Sequence, residues 1–78
     1  MDKATREAIR DDLRQTATGQ GYITAEREDP RGEMIEISTI DRKIGSFVLT
    51  EEGTQIHCDD KIDNLTLIDL FMDSIPRP

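Results

Sequence analysis

Apolar positions divide the chain into three regimes. In residues 2–17 large apolar side chains are sparse: Ile9 and Leu13 recur at helical spacing, with Thr5, Thr16 and Ala17 beside them. Ala, Arg, Glu, Leu and Gln fill the segment, and no Pro or Gly interrupts it before Gly19. This predicts a helix started by Asp2 and left through the polar run Thr16 to Gly21. Its stripe is thin, so it should dock weakly and fray at its ends.

Residues 21–58 switch to a period of two, which predicts an antiparallel meander of four strands at about 21–28, 33–40, 44–50 and 54–58. Asp29-Pro30-Arg31-Gly32 is the clearest turn: Asp opens it, Pro presets the next dihedral and Gly closes it. Glu52-Gly53 supplies a second turn and Asp41-Arg42-Lys43 a third, which lacks glycine. A one-residue slip inverts every side chain, so register is tested by asking which pairing keeps one face apolar. Pairing Ala25 with Ile37, Ile37 with Phe47, Ile35 with Leu49, Leu49 with Ile56 and Phe47 with Cys58 gathers one inner face across three hairpins. The outer face then holds Met34, Ile40, Ile44 and Val48 among polar residues. Glu26 stands opposite Glu36, an unfavourable pair that needs either a nearby base or a different register.

Residues 60–75 predict a closing helix, with Asp60 or Asp63 as its cap and Pro76 as its stop. Projected at about 100° per residue, Leu65, Ile68, Phe71, Met72 and Ile75 span about 120°, enough to cover a sheet face. Leu67 and Leu70 fall outside that arc. They are either covered by Ile9 and Leu13 of the first helix or left exposed for a partner. The fold expected is α+β, a two-layer sandwich of order α-β-β-β-β-α, with an antiparallel meander sheet and both helices on one face. With no repeat or linker, residues 1–78 read as a single small domain.

Composition narrows the options for stability and for chemistry. A chain of 78 residues has a thin margin, since a domain this size buries only about 60% of its unfolded surface. Its single cysteine, Cys58, forbids an internal disulfide, and its single histidine, His57, leaves too few ligands for structural zinc. Good packing or oligomerisation remains. Hydrophobic and charged residues each make up 35%, a composition that borders on disorder, but the periodic runs over residues 21–75 argue for a fold.

Candidate chemistry is sparse. His57 and Cys58 are adjacent on a strand, so their side chains should point to opposite faces and not form a nucleophile–base pair. Asp59, Asp60 and Asp63 lack the spacing and glycine of a calcium loop. No phosphate-binding glycine loop or His-Glu helix motif occurs. A glycosidase-like pair from Glu26 and Glu36 has no room for a cleft in so small a domain. The expectation is no enzyme, no catalytic residue, no metal and no cofactor.

The net charge of −7 lies entirely beyond residue 15, because Lys3, Arg6, Arg10 and Arg14 balance Asp2, Glu7, Asp11 and Asp12. Acidity argues against nucleic acid as a partner. No apolar run reaches the length of a membrane span or a signal-peptide core, and Met1-Asp2-Lys3 is charged at once, so no membrane contact and a cytoplasmic location are expected. The order helix, strands, helix is shared with double-stranded-RNA-binding domains. Their basic cluster at the start of the last helix is replaced here by Asp59, Asp60, Lys61, Ile62 and Asp63, so no family is assigned.

Three functional readings follow. A non-enzymatic protein–protein interaction or regulatory module, with self-association into a homodimer as one form, would use Leu67, Leu70, Met34, Ile40, Ile44 and Val48. An acidic mimic of nucleic acid would block a basic protein surface with Glu26, Glu28, Glu36, Glu51, Glu52, Asp59 and Asp60. A nucleic-acid binder would use the row Lys3, Arg6, Arg10 and Arg14, which falls within about 80° of the first helix. The preferred reading of that row is a solvated face with intrahelical pairs such as Lys3–Glu7 and Asp11–Arg14.

Overall fold

Two aspartates start the helices. Asp2 Oδ1 accepts the backbone N–H of Thr5 at 2.8 Å, and Asp60 Oδ1 accepts that of Ile62 at 2.7 Å. Each satisfies a donor that the first helical turn leaves orphaned. In the computed structural model, which describes residues 1–75, the elements run α1 (Lys3–Gly19), β1 (Ile23–Asp29), β2 (Gly32–Ser38), β3 (Lys43–Thr50), β4 (Gly53–His57) and α2 (Lys61–Ser74). The sheet is an antiparallel meander in the order β1-β2-β3-β4, with both helices packed on it: the expected α+β architecture. Pro76, expected to stop the closing helix, lies outside the described residues.

The core is one cluster of Leu13, Ala17, Ile35, Ile37, Ile44, Phe47, Leu49, Leu67 and Leu70, with Ile9, Tyr22, Ile56, Cys58 and Phe71 packed around it. Phe47 and Phe71 meet with ring centroids 6.2 Å apart, joining β3 to α2. The thin α1 stripe is thus sufficient: Leu13 and Ala17 are fully buried against the sheet and α2.

Turn length sets the register of each hairpin. Pro30 and Arg31 alone separate Asp29 from Gly32, so Thr24 faces Ile37 and Glu26 faces Ile35. This differs by one residue from the apolar-face pairing of Ala25 with Ile37, and it inverts β1. Ile23 points to the outer face and is half-exposed, while Glu26 points inward toward α1. The Glu26–Glu36 opposition disappears, because Glu36 instead faces Ala25. In the other two hairpins Ile35 faces Phe47 and Phe47 faces Ile56. Those pairings differ by two residues from the expected ones, so the faces are preserved.

A register shift between Ile37 and Ser38 leaves Ile44 without a cross-strand partner, since Ile37 faces Gly45 and Ser38 faces Lys43. This bulge re-aims Ile44, which joins the core cluster and is not part of an outer patch. Gly45 beside it admits close approach. A Cβ there would lie 2.5 Å from the carbonyl oxygen of His57 and 2.7 Å from a methyl of Leu67.

Candidate interaction surface

The face that α2 turns inward is marked from its first turn. Arg42, in the β2–β3 loop, donates from Nη1 and Nη2 to the two carboxylate oxygens of Asp63, each at 2.7 Å. Asp63 is buried, and Leu67 and Leu70 follow it at helical spacing on the same face. Leu67 is 0% exposed and Leu70 1%. The two leucines expected outside the main apolar arc are therefore core residues, in one cluster with Leu13 of α1 and with β3.

The opposite side of α2 becomes the exposed one. Ile62 is 73% exposed, Leu65 61%, Met72 57%, Ile75 43% and Ile68 39%. Four of the five belonged to the arc or its flank expected to cover the sheet. The expectation failed because apolar side chains take up most of the circumference of this helix, so the arc richest in them does not decide which side faces inward. The observed face is the one that buries Leu67 and Leu70 and brings the buried carboxylate of Asp63 to the half-exposed Arg42.

The outer sheet face is not an apolar patch. Val48 is fully buried between its cross-strand neighbours Met34, itself half-buried, and Gln55. Charged side chains roof this face: Glu36 binds both Arg27 and Lys43, and Arg31 donates to Gln55. Of the apolar outer-face candidates, Ile40 stays accessible, 91% exposed in the β2–β3 loop.

The basic row of α1 turns toward the carboxylates of the sheet. Arg6 Nε donates to Glu33 at 2.7 Å, with both side chains largely buried. Arg10 and Arg14 both approach Glu26, at 3.6 and 3.4 Å, and Lys3 lies 3.9 Å from Glu7. The inversion of β1 is what brings Glu26 under these arginines. Among the acidic candidates, Glu26 and Glu36 pair with bases of the chain, Glu26 while still exposed, and Asp60 caps α2; Glu28, Glu51, Glu52, Asp59 and Asp60 are exposed. A charged cleft of about 610 Å³ lies between the start of α1 and two hairpin ends, but Arg6 pairs with Glu33 across it and Arg31 with Asp29.

His57 and Cys58 diverge. The His57 ring lies beside Gln55 at 3.2 Å on the outer face, and Cys58 packs against the core with its thiol donating to the Asp60 carbonyl at 3.4 Å. Among the described residues no three His, Cys, Asp or Glu side chains gather as metal ligands, and no helix is long and apolar enough to cross a membrane.

The ion pairs make a pH prediction. Arg42 holds Asp63 below the ordinary carboxylate range, Arg6 does the same for Glu33, Lys43 and then Arg27 for Glu36, and Arg31 for Asp29. Depressed folded values stabilise the fold above the ordinary carboxylate pKa, and that contribution is lost as pH falls through the depressed values. The melting temperature should therefore be level near neutrality and fall below about pH 4.5. Arg42→Met should melt lower at pH 7 and lose less on acidification. Melts followed by circular dichroism from pH 7 to 2 test this, and parallel curves for the two proteins would refute the role given to Asp63.

Compared with protein-family models, with curated proteins and with solved structures, the chain finds no match, so its own surfaces carry the functional reading.

Proposed function

We propose that this chain is a non-enzymatic protein-interaction module that docks through the outer stripe of α2 and works in the cytoplasm. The observation that carries the proposal is the exposure of Ile62, Leu65, Ile68, Met72 and Ile75 on one helix of a 78-residue domain. Clustered exposed aliphatics of this size mark interfaces in proteins that otherwise keep such residues inside. Burying what these five side chains expose is worth roughly 4–8 kcal/mol, at about 1.5–3 kcal/mol per whole side chain. That is comparable with the cost of association and suits a reversible contact. The cytoplasmic setting is supported by the lone cysteine and by the absence of any long apolar run in the sequence.

The test uses the exposed stripe and leaves Leu67 and Leu70 intact. A tagged chain and its Leu65→Glu/Met72→Glu variant are compared for the proteins they retain from the native host, the untagged chain itself included. The variant should fold normally, since both positions face water, and should lose a protein that the parent retains. Equal retention by the two would end this reading.

A second reading keeps the exposed carboxylates Glu28, Glu51, Glu52, Asp59 and Asp60 as an acidic mimic that docks on a basic protein. It predicts binding that weakens as salt rises. The nucleic-acid reading has less support, because Arg6, Arg10 and Arg14 are paired with sheet carboxylates.

A further inference from the structure

We infer that the occupant of the α2 stripe is a second copy of this chain, packed antiparallel about a two-fold axis that crosses the exposed face of α2 at the height of residue 70. The inference rests on the interaction reading above and names its partner.

Self-complementarity carries it. Leu65, Ile68, Met72 and Ile75 recur at spacings of three, four and three, the seam of a helix pair. This spacing reads the same in both directions along the helix. A two-fold perpendicular to α2 therefore places Leu65 of one copy against Ile75 of the other, and Ile68 against Met72, so that each of these four side chains meets another, with Ile62 at the edge of the contact. An isologous contact needs such a patch, since both copies must present the same surface.

Charge at the two ends agrees with the antiparallel sense. Lys61 is exposed one turn before Leu65, on the same line as the stripe. Among the described residues the last turn of α2 holds no basic side chain to face its negative dipole end. Antiparallel packing carries Lys61 of each copy toward that end of the other, and it also opposes the two helix dipoles. The like net charge of −7 on each copy acts against association at low salt.

The contact is small. A helix of 14 residues is about 21 Å long, and one helix face falls short of the roughly 800 Å² per partner of standard interfaces. Association should accordingly be weak, dependent on concentration and strengthened by salt, which screens the repulsion. An acidic mimic bound to a basic partner would show the opposite salt response.

Sedimentation velocity of the full chain, from about 5 µM to 1 mM at low and at high salt, tests the dimer. The fraction of dimer should rise with concentration and with salt. Leu65→Glu and Met72→Glu should each weaken it at least tenfold, and Lys61→Glu should weaken it less, with folding checked by melting curves. For orientation, Ile68→Cys and Met72→Cys chains in a Cys58→Ser background are mixed and oxidised. The crosslink between unlike chains should dominate, whereas crosslinks between like chains would overturn the antiparallel arrangement. A chain monomeric at 1 mM and high salt overturns the self-association itself. If Leu65→Glu/Met72→Glu nevertheless loses a host protein, the interaction reading survives with a different partner.

Discussion

Leu67→Ala should lower the stability of this protein by about 3–5 kcal/mol, as read from urea denaturation followed by circular dichroism. Leu67 is fully buried in the cluster that joins α1, α2 and the sheet, and it lies over Gly45, where the bulged strand admits close approach. Removing it takes away buried methyl groups and leaves a void that a short helix on a rigid sheet cannot close. A domain of 78 residues holds roughly 4–12 kcal/mol in all, so at the low end of that range the loss brings the alanine variant near its melting point at room temperature. Leu67→Glu, which adds an unpaired buried charge, should not fold at all. By contrast Leu65→Glu, two residues away, should change stability by less than about 1 kcal/mol, because its side chain faces water. A loss below about 1 kcal/mol at Leu67, or equal losses at both positions, would show that α2 is rotated differently.

Gly32→Ala should cost about 2–3 kcal/mol or more and open the β2–β3 edge. Gly32 lies at the first position of β2, directly after the Pro30-Arg31 turn, and pairs with both Asp29 and Thr50. A Cβ there would stand 1.9 Å from the carbonyl oxygen of Leu49 and 2.9 Å from its carbonyl carbon. Both are backbone atoms of a central strand, so no rotamer change relieves the overlap. The strands must separate, and the Thr50 end of the ladder is the place where they would. Gly53→Ala is the matched control, since a Cβ there meets nothing within 4 Å and leaves only the cost of its positive φ of 143°. Amide exchange should show Thr50 and its neighbours losing protection in the Gly32 variant. Unchanged exchange there would mean that the close contact is not maintained in solution.

Much of the fold was legible in the residues. The change from helical spacing to alternation at Gly21, the Asp-Pro-Arg-Gly turn and the aspartates before both helices locate all six elements to within a few residues. Each of these signals is local, a property of a short window that acts on its own backbone. The preserved faces of β2, β3 and β4 were legible for the same reason, because an even register error leaves the alternation intact.

β1 was misread because the apolar-face rule assumes that a covering helix is apolar. Here α1 presents Arg10 and Arg14 above β1, so Glu26 finds its partners on the inner side and Ile23 is turned out. The two-residue turn enforces that choice. The basic row, the acidic pair and the odd register are thus one feature seen three times. Each looked functional or unfavourable in isolation, and each is absorbed by the others.

The candidate surface shows the same division. The sequence by itself determined that α2 carries more apolar side chains than one sheet face needs, because composition and spacing are properties of the helix alone. Which of them are surplus was decided by tertiary structure. Arg42, 21 residues upstream, reaches Asp63 from a loop on the side of the helix that also buries Leu67 and Leu70. A helix apolar around most of its circumference has no preferred inner face of its own, so contacts between segments distant in sequence, the Arg42–Asp63 pair among them, choose one.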